Sequence, residues 1–182
     1  MSRFFDNEYN DKIANLHLPR FGEFPNIELY IDQLLTYIEE QLDFLPLGEN
    51  EKLLTPSMVN NYVKQGIVAP TVKKRYARYH IAYLIVVCIL KQTYSINEIS
   101  ELIKIQISAY PIETAYDYFC TEIENAAKSV FLGDCIPTPD SAKTTTPVTD
   151  LIRSVVYSFA NKLYAQKCLQ TTGGDYSDVK YR

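Results

Sequence analysis

The chain has 182 residues, of which 47% are hydrophobic and 22% charged, with a formal net charge of −4. That length holds one domain, or one domain with a helical extension, and the balance is that of an ordinary soluble globular protein with a sizeable core. The longest apolar run, Ile81–Leu90, is too short for the roughly 20 residues that cross a bilayer, so a membrane-spanning role is excluded and no membrane partner is expected.

Residues 1–26 read as an N-terminal loop segment, with two prolines and a glycine in HLPRFGEFP. MSRFFDNEYN lacks the charged-then-apolar pattern of a signal peptide, and the expected address is the cytoplasm. Ile27–Leu45 is predicted helical, with Ile27, Ile31, Leu34, Leu35, Ile38, Leu42 and Leu45 on one face and acids on the other. Pro46 and Gly48 end it.

Thr55–Gln65 is a predicted short helix. Thr55 is placed to cap it, Pro56 sits at the first helical position and Gly66 supplies the stop. Residues 67–76 follow as a small β-hairpin. Tyr79–Thr93 is a second, apolar helix, and Ser95 begins another that runs to Ile103. Ser95 and Glu98 have the spacing of a capping box.

Ile112–Leu132 is a longer helix. Residues 133–149, with three prolines and many hydroxyls, form a loop, and Asp150–Leu169 is a final amphipathic helix. Residues 171–182 read as a flexible tail. The chain is therefore mostly α. Residues 27–107 carry the one small β element, and 108–170 form a C-terminal helical region for core packing or dimerisation.

Cys88, Cys120, Cys135 and Cys168 are scattered, form no CxxC, and lie far from His17 and His80. A metal site needs a closer ligand pair, so buried or surface thiols are expected and no metal or cofactor.

Charge is distributed unevenly. From Lys52 to Asn97 there are seven bases and no acid, which leaves 11 bases against 22 acids elsewhere, a net of −11. Burial of Ile81–Leu90 accounts for part of this window but not for KKRYAR. Segregation on this scale suits a polyanion-binding surface; a solvated basic face or a protein-binding patch is the plainer alternative.

A short capped helix, a glycine stop, a basic hairpin and a buried helix have the order of a winged helix-turn-helix. Ser57, Asn60, Asn61 and Lys64 lie on or beside one face of the Thr55–Gln65 helix and would meet base edges in a major groove. Lys73, Lys74 and Arg75 at the hairpin tip would meet phosphates, with Tyr76 and Arg78 touching the same strand.

VNNYVKQGI (residues 59–67) resembles the LRYYEREGL signature of MerR-type regulators, matching at Val59, Tyr62, Gly66 and Ile67. RYARYHIAYL resembles the stretch after their wing, with Tyr76, Ile81 and Leu84 at the matching positions, and SINEI is similar to their FSLEEI helix start. The whole chain, including LYIDQLL and LTPSMVNNYVKQG, also resembles a bacterial family known mainly from Firmicutes, domain of unknown function 1836. The resemblance implies a MerR-like DNA-binding fold and no established activity. Asn60 departs from the usual MerR arginine. The link from the first helix to the Thr55 helix is also long, and no single long coiled coil follows.

The C-terminal stripes hold Tyr116 and Phe119 in one helix, and Tyr157, Phe159 and Tyr164 in the other. They read as a core antiparallel pair or a dimer contact; no buried charge or polar cluster singles out an effector pocket. No GxSxG, GxxxxGK[ST] or HExxH occurs, so no enzyme is expected. His80 is read as a DNA contact or surface cap. Glu39 and Glu40, like Glu122 and Glu124, are read as solvated helix faces. The expectation is a MerR-like winged helix-turn-helix regulator that binds double-stranded DNA as a homodimer. The alternative is an adaptor that keeps the fold and presents the basic face to an acidic protein.

Overall fold

A computed structural model describes residues 7–48, 50–133 and 137–172, and seven α-helices carry the fold. The first, α1 (Asn7–Ala14), lies where the sequence suggests a loop. Its Tyr9 and Ile13 pack inward, and the Tyr9 hydroxyl donates to the Phe44 carbonyl at 3.1 Å. A 3-10 turn at Phe21–Glu23 follows.

Helix α2 (Ile31–Gln41) buries Leu34 and Ile38 and exposes Asp32, Glu39 and Glu40, as its amphipathic pattern requires. It begins four residues later than the apolar pattern suggests, because Leu29 is held in an extended bridge. Helices α3 (Pro56–Lys64), α4 (Arg78–Leu90) and α5 (Ile96–Ala109) come next. Nine of the thirteen residues of α4 are buried, so it is a core helix surrounded by others. It packs on α2, α5, α6 (Ile112–Leu132) and the 3-10 turn.

Helix α6 begins and ends where its apolar stripe predicts. It pairs with α7 (Pro147–Thr172), which starts earlier than expected. The start is fixed by a reciprocal cap: Thr149 N–H donates to Thr146 Oγ1 at 3.2 Å, and Thr146 N–H donates to Thr149 Oγ1 at 2.8 Å. Pro147 occupies the first helical position. One hydrophobic core runs from Ile13 to Leu163. Cys88 and Cys120 lie within it, where burial pushes both thiols up to about 12. Cys135 and the predicted tail beyond residue 172 lie outside the described residues.

Two expectations are corrected here. Among the described residues no strand forms; residues 67–76 hold one tight turn, and the β-structure is limited to the isolated antiparallel bridges Val72–Arg75 and Leu29–Tyr76. Glu122 and Glu124 are not solvated. Both are buried on α6, where Glu124 pairs with Arg20 and Glu122 with Arg153.

Candidate nucleic-acid interface

The geometry of α3 is set at both ends. Thr55 Oγ1 accepts from Met58 N–H at 3.2 Å, and Pro56 is the first helical residue. At the C-terminus, Gly66 N–H donates to the Val63 carbonyl and Ile67 N–H to the Tyr62 carbonyl, both at 3.0 Å. Gly66 has φ +71°, so this is a Schellman stop. Tyr62 and Ile67, which flank it, are buried.

The helix is thereby locked with one face in and one face out. Val59 and Tyr62 are buried, and Met58 and Val63 are half-buried against the core. Ser57, Asn60, Asn61 and Lys64 are all exposed. Burial raises the Tyr62 phenol above its ordinary range.

The chain then turns at Val72-Lys73-Lys74-Arg75. Arg75 N–H donates to the Val72 carbonyl at 3.0 Å, and φ is +51° at Lys73 and +58° at Lys74. Positive φ at both central positions is the mark of a type I′ turn, whose central positions favour Asn and Gly. Two lysines here carry strain of about 1–2 kcal/mol each. Both project from the tip and are exposed.

Arg75 is exposed but engaged: its Nη2 donates to the Tyr30 hydroxyl at 3.0 Å, and its guanidinium lies 5.1 Å from the centre of that ring. Tyr76 is only 7% exposed. It exchanges two 2.9 Å backbone hydrogen bonds with Leu29 and sets its ring edge-on to His80. Tyr76 thus serves the core rather than the surface for which its position suggested it. Arg78 is half-buried and donates to the Pro25 carbonyl at 3.3 Å and to Asn26 Oδ1. Lys91 donates to the Leu53 carbonyl. Among the described residues, Lys52, Lys64, Lys73 and Lys74 make no ion pair or hydrogen bond through their side chains, so their charge is turned to solvent.

His80 is buried, not a surface group. Its Nδ1 accepts from Ala77 N–H at 2.9 Å, which caps the first turn of α4 and leaves the neutral ring's proton on Nε2. Nε2 lies against the Ala69–Pro70 backbone without a well-formed hydrogen bond. Burial holds the imidazole below its ordinary pKa, against the raising effect of the surrounding backbone. An acidic groove of about 460 Å³ runs beside the Leu29 bridge, with Asp32 and Glu40 from α2 on its wall.

The model of a family described as Domain of unknown function (DUF1836) matches residues 19–119, from the approach to the 3-10 turn into α6. No curated protein and no solved structure matches the chain.

Proposed function

We propose that this chain, which belongs to the DUF1836 family of domains of unknown function, binds duplex DNA as a MerR-like winged helix-turn-helix regulator. The observation that carries this reading is the two-sided α3. Its inner face is anchored by Val59 and Tyr62, while Ser57, Asn60, Asn61 and Lys64 stand free on its outer face. Asparagine offers a paired donor and acceptor to adenine, and lysine a donor to guanine or phosphate.

Lys73 and Lys74 at the turn tip supply charge for phosphates, and Arg75 extends it along the Tyr30 side. The order of extended residue, helix, helix, turn and helix supports the MerR-like reading, with the wing reduced to one turn. One short helix reads few base pairs, so a homodimer is proposed as the DNA-binding form.

The test is fluorescence anisotropy of the full chain on random-sequence duplex across a salt series. Binding weakens steeply with salt, and Lys73→Ala with Lys74→Ala flattens the logarithmic slope by about two units, near 0.9 for each phosphate no longer neutralised. An unchanged slope removes the turn from the interface. Retention of no duplex at low salt overturns the reading.

A second reading, an adaptor for an acidic protein, is favoured by one observation. Ile27 and Val72 are each 69% exposed, and Tyr30 is exposed as well; all three lie in the segments that the Leu29 and Val72 bridges bring to the turn. Exposed apolar side chains there suit a protein surface better than a phosphate backbone. Duplex selected from a random pool decides, since an adaptor holds no sequence above non-specific levels.

A further inference from the structure

A groove of about 670 Å³ opens between the end of α5, the start of α6 and residues 141–149. It is distinct from the basic surface, and its size is that of a small-molecule site, about 300–1,000 Å³. We infer that this groove binds a small, neutral, amphipathic molecule presenting an N–H or O–H donor.

The outer wall is fixed in advance. Tyr118 donates to Asp140 Oδ1 at 2.9 Å, and Ser141 N–H donates to Glu122 Oε1 at 3.1 Å. Arg153 Nη1 donates to Glu122 Oε2 at 3.1 Å, and its Nη2 donates to the Thr138 carbonyl. Thr138 N–H in turn donates to the Tyr157 hydroxyl at 2.7 Å. A buried carboxylate and its arginine thus hold residues 138–142 against α6 and α7, so this wall needs no ordering step to accept a ligand.

The donor requirement comes from Gln106. This side chain is 7% exposed, and its Nε2 donates to the Ala115 carbonyl at 3.4 Å. Its Oε1 is shielded from water and has no hydrogen-bond partner among the described residues. A buried acceptor left unpaired is destabilising, and a ligand donor would relieve it once the Gln106 side chain turns that oxygen to the groove.

Gln106 also lines an adjoining apolar pocket walled by Tyr83, Val86, Ile103, Ile107 and Phe119. The ligand therefore has an apolar part for α4 and α5 and a polar part for the hydroxyls of Thr114 and Thr144. Asp117 and Lys143 balance one another along the polar wall, which favours a molecule without net charge. This inference does not rest on the DNA reading, and its test contains no DNA.

The probe is N-phenyl-1-naphthylamine, a neutral amine that joins a phenyl and a naphthyl group through one N–H, titrated into the full chain and followed by its fluorescence. Saturation at one dye per chain is expected, with binding at least tenfold weaker for the N-methyl analogue that lacks the donor. Gln106→Leu raises the dissociation constant at least tenfold, and Thr114→Trp, which fills the polar arm, abolishes saturable binding; circular dichroism shows that each variant folds. A rise that never saturates, or equal affinity for dye and N-methyl analogue in the wild-type chain, overturns the inference. That ligand-side comparison decides even where a variant fails to fold.

Discussion

Arg20 and Glu124, 104 residues apart in the chain, meet as a two-pronged ion pair, with Nη1 on Oε1 and Nη2 on Oε2, each at 2.7 Å. Leu18 N–H donates to the same Oε1 at 2.7 Å, and Arg20 Nη1 also donates to the Leu18 carbonyl at 2.6 Å. The pair fastens the N-terminal segment to α6. It also explains why Arg20 holds its proton above even the ordinary arginine range, chiefly through its hydrogen bond with Glu124. Arg20→Ala leaves the Glu124 carboxylate buried with only the Leu18 amide and a distant His17 ring beside it. A loss of about 3 kcal/mol in urea unfolding is expected. A loss under about 1 kcal/mol would show that water reaches this carboxylate freely.

The strained turn separates charge from shape. Lys73→Asn with Lys74→Gly suits the positive φ at both positions and should stabilise the chain by about 1 kcal/mol, while removing both charges. Lys73→Gln with Lys74→Gln removes the charges alone. Both pairs should weaken duplex binding alike, but only the first should raise the melting temperature. A melting temperature that falls for the Asn-Gly pair would mean that the turn is not of type I′.

Gly66 sets the exit from α3. A side chain at this position meets nothing within 4 Å, yet φ is +71°. Gly66→Ala should therefore cost about 1 kcal/mol through backbone conformation alone, and Gly66→Asn less, since asparagine tolerates the left-handed region. Equal effects of the two in thermal unfolding would point away from backbone strain.

His80 makes stability depend on pH. Its pKa is lowered in the folded chain from an ordinary 6.5, with burial as the main cause. Above pH 6.5 both states are neutral at this site and its contribution is fully present. As pH falls below 6.5 the unfolded chain takes up a proton that the folded chain resists, and stability is lost toward the lowered pKa. His80→Gln keeps a side chain that can accept from Ala77 N–H and cannot titrate. The difference in unfolding free energy between pH 5 and pH 7.5 should be smaller in that variant than in the wild type. Equal differences would show that His80 protonates in the folded state without penalty.

Local signals were legible in the sequence where the cause is local. Ser95 and Glu98 form the capping box their spacing indicates: Ser95 N–H donates to Glu98 Oε2 at 2.7 Å, and Glu98 N–H reaches Ser95 Oγ at 3.4 Å. Thr55 caps α3, Gly66 stops it, and α6 keeps the bounds its apolar stripe sets. The same threonine–proline signature stands at Thr146-Pro147, but it is hidden in a hydroxyl-rich stretch that reads as a linker.

What escaped the sequence depends on distant partners. Nothing near Glu122 or Glu124 distinguishes them from solvated carboxylates, because Arg153 and Arg20 arrive from other elements. Tyr76 sits among bases yet turns inward to pair with Leu29, and Arg78 turns back to Pro25 and Asn26. Of the predicted phosphate set, Lys73 and Lys74 are the two whose side chains the fold leaves without an internal partner among the described residues.

The Leu29–Tyr76 bridge has a practical corollary for anyone cutting the protein into fragments. A piece trimmed to begin at α2 would strip Tyr76 of both backbone hydrogen bonds, and one begun at residue 27 would remove the Pro25 and Asn26 acceptors of Arg78. Either boundary also discards Arg20 and leaves the Glu124 charge stranded in any fragment that retains α6. The basic segment is thus wired into the rest of the chain, and recombinant truncations should start upstream of Leu18.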